Sequence, residues 1–357
     1  MVCPRPRNST YLNQQKLIRS IPDCEYENIS LTLMATGLTI WANPFLIACS
    51  EELLIRSTGA HKLILAQKAE HVLDVGTLDP RLLQAEIVFG QPDPRAIIQS
   101  KKLRWLQLSS AGYARYDNQE FRSVLKQRAA TMTNSSSVYD EPCAEHLMAW
   151  LLADSRQLYP AYDNQRGLRG WPQNELRLNT RLLMHQTVFI IGYGAIGRRL
   201  AELLVPYSVQ VIGYRRTMQR GSNIRVVGPA ELANTLAIAD HVINILPDNS
   251  QTRHFFNSER LRQIKAGARY YSIGRGTTTE QEALAENLRS GHLLAAYLDV
   301  TDPEPLPPDN LLWSTPNCYI TPHTGGGHVN ETDRLVGHFV ENLRRYEEGK
   351  ELIDRVF

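Results

Sequence analysis

Residues 188–197 read VFIIGYGAIG, an apolar run followed by three glycines spaced as GxGxxG, and a helix-like stretch follows directly. In a strand–turn–helix unit, Gly192 permits the tight turn, Gly194 lets a pyrophosphate approach the backbone, and Gly197 lets the helix pack on the strand. The phosphates then lie at the helix N-terminus. The stretch predicts a dinucleotide-binding unit. The alternative, a chance glycine turn, is disfavoured by the second strand that follows.

The end of that second strand, residues 209–214, carries no acidic residue. An acid in this place normally holds the ribose 2′-hydroxyl of NAD. Here Arg215, Arg216 and Thr217 follow instead, and guanidinium groups suit a 2′-phosphate because they offer several charged donors in a planar fork. NADPH is therefore predicted as the preferred cofactor, with NAD left open as a second one. A solvated basic turn without ligand contact is the alternative.

Short apolar runs alternate with helix-sized segments, which is typical of parallel α/β sheets. Strands of a first series are predicted at 38–42, 62–66, 87–89 and 105–108. Six strands of a second series are predicted at 187–191, 209–214, 241–246, 268–273, 295–300 and 318–320. Apolar residues at helical spacing predict a long linking helix at 141–157 and an amphipathic helix at 335–346. The predicted fold class is α/β with two doubly wound parallel sheets.

Length and composition limit the classes of function. A chain of 357 residues fits two domains, and its formal charge of +2 gives no attraction to nucleic acid. The five cysteines form no CxxC pair, so no metal site or disulfide framework is predicted and a reducing cytoplasm fits best. The uncharged run between Glu27 and Glu51 contains Gly37, Asn43 and Pro44, so no membrane span is predicted.

Three polar residues follow apolar strands of the second series: Arg275, Glu304 and His323. Ligands of an open parallel sheet gather at the C-terminal strand ends, so the three could meet at one point. A 2-keto acid needs a cation that anchors its carboxylate and polarises its ketone, which suits Arg275. It also needs a proton donor, which suits a His323 kept protonated by Glu304. Singly, each residue could be structural; together they predict a catalytic set. Asp299 is predicted to support this set or to contact the cofactor ribose.

Several short motifs recur through the second half of the chain. They are Ala144-Glu145-His146, the GYGAIG turn, Leu246-Pro247 with Thr252, Ile273-Gly274-Arg275-Gly276, Leu298-Asp299-Val300 with Glu304-Pro305-Leu306, and Thr321-Pro322-His323 with Gly325-Gly326. Together they closely resemble the D-isomer specific 2-hydroxyacid dehydrogenase family, which includes glyoxylate and hydroxypyruvate reductases. The resemblance covers about residues 38–357.

The resemblance implies an oxidoreductase that reduces a small 2-keto acid to the D-2-hydroxy acid, and the basic turn at Arg215 and Arg216 adds the predicted preference for NADPH. Arg275 would bind and polarise the substrate, His323 would donate the proton, and Glu304 would tune His323. The expected cofactor contacts are Gly192, Gly194, Ala195, Ile196, Gly197, Arg215, Arg216, Thr217, Leu246, Pro247, Ile273, Gly274, Asp299, Gly325 and Gly326. Backbone amides of a loop containing Ser110, Ala111 and Gly112 would bind the substrate carboxylate.

The family's organisation implies a Rossmann cofactor domain inserted into a flavodoxin-like substrate domain. The expected boundaries are a loose N-terminal extension at 1–33, a substrate domain at 34–137 and 325–357, and a dinucleotide-binding domain at 138–324. A homodimer formed through the cofactor domain is also expected.

The sequence departs from the family pattern near the substrate loop. Tyr113, Arg115 and Tyr116 are bulkier than is usual there, and His185 stands where a glycine commonly precedes the cofactor strand. These departures leave the identity of the 2-keto acid open. Two rival functions also stay open: a nucleotide-sensing regulator similar to the C-terminal-binding protein corepressors, and a formate-type dehydrogenase. The formate-type enzyme is disfavoured because that branch carries a neutral amide where Glu304 stands.

Overall fold

The computed structural model describes residues 37–66, 76, 78–216 and 223–357. The predicted extension at 1–33 and the predicted cofactor contact Thr217 lie outside the described residues. Residues Gly37–Phe357 cluster as one compact unit that contains both sheets. The expected domain boundaries therefore stay a prediction.

The first sheet has five parallel strands in the order β2-β1-β3-β4-β5. This is the flavodoxin-like order of a doubly wound fold. Most positions of its central strands are buried, because helices cover both faces of such a sheet. The strands are β1 (Thr39–Ala42), β2 (Lys62–Leu65), β3 (Ile87–Gly90), β4 (Trp105–Leu108) and β5 (Thr131–Thr133). The sequence predicted four of them and missed β5.

The C-terminal helix packs on this first sheet although it follows the second sheet in the chain. This helix, α11 (Glu331–Glu347), stacks the ring of Phe339 on Phe89 at 4.3 Å and on Trp105 at 5.4 Å between centroids. The first sheet is also flanked by α1 (Ala48–Ser57), α2 (Pro94–Gln99) and α3 (Gln119–Gln127). The chain thus returns to its first sheet, as the family resemblance implied.

The second sheet has seven parallel strands in the order β12-β11-β10-β9-β6-β7-β8. Numbered within the sheet, this is the 3-2-1-4-5-6 order of a dinucleotide-binding fold with one further strand. The strands are β6 (Thr187–Ile191), β7 (Gln210–Tyr214), β8 (Arg225–Val227), β9 (His241–Asn244), β10 (Ala268–Ser272), β11 (Leu293–Leu298) and β12 (Cys318–Ile320). The prediction of six strands was wrong, because the short edge strand β8 joins the sheet. The α/β fold class is confirmed.

The linking helix α4 (Ser136–Ser155) begins earlier than predicted and packs against α7 (Ala195–Leu204). The remaining helices are α5 (Leu158–Arg166), α6 (Gln173–Asn179), α8 (Leu232–Leu236), α9 (Ser258–Gln263) and α10 (Gln281–Arg289). Among the described residues, none of the helices is both long and apolar enough to cross a bilayer.

Candidate active site

The glycine-rich turn after β6 has the conformation that its sequence requires. Gly192 has a φ of +92°, and a Cβ there would lie 2.9 Å from the carbonyl group of Ile245. A Cβ on Gly197 would lie 3.0 Å from Cγ2 of Ile190, so α7 packs on β6 only because this residue is a glycine. Both positions support the predicted strand–turn–helix unit.

The start of α7 suits a pyrophosphate. Gly194 precedes the helix without a side-chain cap, which leaves the first helical amides, those of Ala195 and Ile196, without a side-chain oxygen at the cap. A Cβ on Gly194 would meet its nearest atom only at 3.8 Å, so the backbone is open to a close ligand. Backbone amides at a helix N-terminus favour phosphate oxygens. These residues fit a dinucleotide.

Two of the three residues predicted to hold a 2′-phosphate lie at the end of β7. The Arg215 Nε donates to the carbonyl of Tyr193, and Arg216 is exposed. Burial, followed by the nearby charge of Arg198, lowers the pKa of Arg215. Arg198 therefore brings a third guanidinium close to this turn. Arg198 was not among the predicted cofactor contacts, and its position directly after GxGxxG was the signal that could have identified it.

A cleft of about 280 Å³ lies between the loops of the two sheets. Loops after β4 supply one wall, and loops after β9 and β10 supply the other. The predicted site residues that line the cleft are Ser110, Ala111, Gly112, Ile196, Leu246, Pro247, Ile273, Gly274 and Arg275. The structure thus brings predicted substrate and cofactor residues together at one opening.

The Arg275 side chain reaches across this cleft to the backbone of Gly112. A Cβ on Gly112 would lie 2.1 Å from Arg275 Nη2, and Arg275 Nη1 donates to the carbonyl of Gly274 at 2.7 Å. Burial lowers the pKa of the Arg275 guanidinium, whereas the charge of Glu304 raises it. Because an arginine keeps its proton in proteins, Arg275 is a cation facing the cleft at neutral pH.

His323 and Glu304 form a hydrogen-bonded pair, with 2.7 Å between Nδ1 and Oε2. The other carboxylate oxygen, Oε1, accepts a bond from the amide of Thr301 at 3.0 Å. Partial burial raises the pKa of the Glu304 carboxyl, but the hydrogen bonds from His323 and Thr301 outweigh it and lower the pKa below its ordinary value. Glu304 is therefore a carboxylate at neutral pH.

The three predicted catalytic residues do not all line the same cavity. Arg275 lines the cleft, whereas His323 and Glu304 lie beside it. The Glu304 charge acts on Arg275 and its carboxylate binds His323, so the carboxylate links the other two. The convergence of the three residues on one substrate stays a prediction.

The turn that carries His323 is fixed by Asp299. Its Oδ1 accepts bonds from the Thr321 hydroxyl at 2.6 Å and the Thr324 amide at 2.8 Å, and its Oδ2 accepts one from the Gly325 amide at 2.8 Å. The His323 amide donates to the Asp299 carbonyl at 2.8 Å. The buried Asp299 thus supports the catalytic turn, one of its two predicted roles, and its contact with a cofactor stays a prediction.

The two glycines of this turn are required by close packing. A Cβ on Gly325 would lie 2.6 Å from Cδ1 of Ile273, and a Cβ on Gly326 would lie 3.0 Å from the ring of Tyr139. Both glycines therefore let the His323 turn approach neighbouring elements. Their predicted contacts with a cofactor stay predictions.

The substrate loop is held by two side chains that the sequence interpretation missed. Gln91 donates from Nε2 to the Ser110 hydroxyl at 2.9 Å, and Asn134 donates from Nδ2 to the carbonyl of Ala111 at 2.7 Å. Gln91 directly follows β3 and Asn134 directly follows β5. Their positions could have identified them from the sequence, because both are polar residues at the C-terminal ends of parallel strands.

The described part of the chain contains no group of three His, Cys, Asp or Glu side chains placed to hold a metal ion.

The chain is similar to one known protein family and to several known proteins. Residues 148–325 match the family described as D-isomer specific 2-hydroxyacid dehydrogenase, NAD binding domain. The chain is 31% identical over 277 residues to an uncharacterized protein in the proB 3′ region of Corynebacterium melassecola, covering 76% of this chain and 87% of that protein. It is 27% identical over 303 residues to glyoxylate/hydroxypyruvate reductase B of Escherichia fergusonii, covering 79% and 90%.

A solved structure shows the same fold. The D-isomer specific 2-hydroxyacid dehydrogenase from Xanthobacter autotrophicus Py2, crystallised with NADPH and MES, superposes with a TM-score of 0.76. The superposition covers 90% of this chain and 98% of that chain, at 23% identity.

Proposed function

Because the chain belongs to the D-isomer specific 2-hydroxyacid dehydrogenase family, we propose that it prefers NADPH and reduces a small 2-keto acid to the D-2-hydroxy acid. The family comprises NAD(P)-dependent enzymes that act on small 2-keto and 2-hydroxy acids. One observation carries the proposal: His323 and Glu304 are hydrogen-bonded at 2.7 Å, and the charge of Glu304 also reaches the cleft cation Arg275.

Arg275 is the substrate anchor in this proposal. Its guanidinium lies in the cleft beside Gly112 and stays charged at neutral pH. A planar cation can pair with the substrate carboxylate and point a further N–H at the ketone oxygen. As negative charge develops on that oxygen, the guanidinium stabilises it more than it stabilises the ground state. Backbone groups of the loop at Ser110–Gly112 complete the carboxylate site.

His323 is the proton donor. With Nδ1 bound to the Glu304 carboxylate, a protonated imidazole has its Nε2 proton left for the ketone oxygen. NADPH supplies the hydride to the carbonyl carbon when it is bound. Hydride and proton together convert the ketone to an alcohol, and in the oxidative direction His323 accepts the proton. Asp299 keeps the His323 turn in place by accepting bonds from the Thr324 and Gly325 amides.

The proposed preference for NADPH over NADH is based on the residues that follow β7. Arg215 and Arg216 follow this strand, Arg198 lies close to Arg215, and no acid occupies the position that would hold a ribose 2′-hydroxyl. Guanidinium groups attract the doubly charged 2′-phosphate of NADPH and offer it several donors. We expect NAD to bind more weakly because it makes none of these contacts.

The homodimer is proposed from an exposed apolar segment between α4 and β6. Its side chains are far more exposed than apolar residues of a folded core, with Leu168 at 92%, Trp171 at 89% and Leu178 at 86%. Exposed large apolar side chains grouped in one segment suit an association site, and a second copy of the chain would bury them. Light scattering should give a dimer mass for the wild type and a monomer for Trp171→Lys with Leu178→Glu.

An oxidation assay tests the proposed function. The purified chain is mixed with NADPH or NADH and a panel of glyoxylate, hydroxypyruvate and bulkier 2-keto acids, and loss of absorbance at the nicotinamide band is followed. We expect turnover with at least one 2-keto acid, a D-configured product, and a higher kcat/KM with NADPH. Tight nucleotide binding without turnover of any keto acid would contradict the proposal and favour the nucleotide-sensing regulator.

A further inference from the structure

A second guanidinium, that of Arg115, lines the same cleft as Arg275. It belongs to the wall supplied by the loop after β4, three residues beyond Gly112, whose backbone abuts Arg275. The Arg115 side chain is exposed at the rim, whereas Arg275 lies deeper. The cleft therefore carries one cation at its base and another at its mouth.

The turn that carries Arg115 is anchored from within the first sheet. Tyr116 is fully buried, and its hydroxyl donates to the carbonyl of Pro92 at 2.8 Å. Its ring also meets Phe121 of α3 edge-on, at 5.5 Å between centroids. Because Tyr116 is fixed inward, the preceding residue is held at the cleft side. The position of Arg115 is thus set by packing.

The carboxylates that line the cleft have partners of their own. Asp117 forms an ion pair with Arg122, and Asp248 accepts a bond from the Thr277 hydroxyl at 2.8 Å. A ligand carboxylate or phosphate at the mouth would pair with a guanidinium already placed there.

We propose that the physiological substrate is a 2-keto acid whose side chain ends in a second anionic group, bound by Arg115 while Arg275 holds the 2-keto carboxylate. The inference rests on the proposed function and narrows its substrate class. The observation behind it is the presence of two arginines on the two walls of one cleft of about 280 Å³. A carboxylate and a phosphate share the required chemistry, and the experiment separates them.

The test compares substrates of matched length with and without the terminal charge. The pairs are 2-oxoglutarate with 2-oxopentanoate and 2-oxoadipate with 2-oxohexanoate, and 2-oxo-4-phosphonobutanoate represents a terminal phosphoryl group. At saturating NADPH the wild type should show a kcat/KM at least ~10-fold higher for the charged member of a pair. The ratio between carboxylate and phosphonate identifies which anion the site prefers.

Substitutions of Arg115 test whether this residue causes the higher kcat/KM for substrates with a terminal charge. Arg115→Gln should lower the charged-to-neutral ratio of kcat/KM by ~10- to 100-fold, the range expected for losing hydrogen bonds to a charged group. Arg115→Lys should keep part of the ratio because it keeps a point charge without the planar fork. Lys126→Gln is the matched control, because it removes one positive charge from exposed α3 outside the cleft, and its ratio should equal that of the wild type.

Failure of this inference is distinct from failure of the proposed function. If the wild type reduces the neutral members as well as the charged ones, or if Arg115→Gln lowers both equally, the second anion site is wrong and the reductase assignment stands. If no 2-keto acid of either kind is reduced, the proposed function itself is wrong. A melting temperature of Arg115→Gln equal to that of the wild type shows that the variant is folded. Either kinetic result can then be attributed to the lost guanidinium.

Discussion

Gly112 and Arg275 belong to loops of different sheets, yet a Cβ on Gly112 would lie only 2.1 Å from Nη2 of Arg275. The two walls of the cleft therefore meet at the guanidinium that is proposed to anchor the substrate. The lack of a side chain at position 112 lets Arg275 adopt its position.

The first prediction concerns that contact. Gly112→Ala should displace the Arg275 guanidinium and lower kcat/KM for 2-keto acid reduction by ~10- to 100-fold, because an anchor moved by about 1 Å no longer aligns the substrate. Gly228→Ala is the control, since nothing lies within 4 Å of its added methyl. Steady-state kinetics check both variants. Wild-type kcat/KM in Gly112→Ala would show that Arg275 is not the anchor.

The second prediction concerns pH. Because the pKa of Glu304 lies below its ordinary value, the residue is a carboxylate at neutral pH and binds His323 Nδ1. This support is lost as pH falls through the lowered pKa of Glu304, so kcat/KM for reduction should decline on the acid side. In Glu304→Gln the carboxylate is missing at every pH, so kcat/KM near neutral pH should fall and the decline that reports protonation of Glu304 should disappear.

A matched control for this pH measurement is Glu202→Gln, which removes an exposed carboxylate from α7. Its pH profile should coincide with that of the wild type. If Glu304→Gln keeps the wild-type kcat/KM near neutral pH and the same decline on the acid side, the Glu304 carboxylate does not support His323.

The third prediction concerns the cofactor. Arg215→Asp with Arg216→Ala should reverse the preference from NADPH toward NADH, because the aspartate repels a 2′-phosphate and can accept a bond from a ribose 2′-hydroxyl. The ratio of kcat/KM for the two cofactors measures this. Arg262→Ala on exposed α9 controls for loss of a positive charge. An unchanged ratio in the double variant would refute the assignment of these arginines.

The fourth prediction concerns stability. Asp154 accepts a bond from Arg269 Nε at 2.8 Å, and both side chains are buried, at 8% and 5% exposure. Asp154→Asn would leave the Arg269 charge buried without its partner, so the free energy of unfolding should fall by about 3 to 5 kcal/mol. Glu231→Gln breaks the exposed Arg225–Glu231 pair and should cost at most about 1 kcal/mol. The free energy of unfolding of both variants, measured in urea, tests this prediction. Equal decreases in the two variants would contradict the argument that burial makes the Asp154–Arg269 pair the more important one.

Most strands that the sequence predicted have apolar runs that can be recognised without knowledge of their neighbours, and they include the fully buried β3, β4 and β6. The two missed strands, β5 and β8, have three residues each and are largely polar or charged at their starts. β5 is ordered by contacts that are distant along the chain: the Met132 amide donates to the carbonyl of Phe357 at 3.0 Å, and the Val356 amide donates to that of Met132 at 2.8 Å. A periodic pattern cannot show such pairing.

The linking helix illustrates a different limit. It was predicted from 141, but it begins at Ser136 and contains Pro142 in its interior. Proline is most typical of the first helical turn, so the local signal favours a later start. The preceding residues are helical because tertiary packing buries Val138 and Tyr139, which outweighs local preference.

Some residues of the candidate site could likewise be predicted from the sequence, whereas others could not. Arg275, Glu304 and His323 could be predicted because polar residues at strand ends of a dinucleotide fold mark a site. Gln91 and Asn134 were missed although the same rule applies to the first sheet. The carboxylate of Asp299 was given two roles, and only coordinates could reveal that both of its oxygens bind the His323 turn.

The most direct test of the central claim is the rate of NADPH-dependent 2-keto acid reduction by His323→Gln. The affinity for NADPH, measured by fluorescence titration, should be unchanged because His323 does not build the phosphate turn. The rate of reduction should fall by about 10²- to 10⁴-fold, the usual contribution of a general acid. Reduction at the wild-type rate by this variant would contradict the assignment of His323 as proton donor and with it the account of the site.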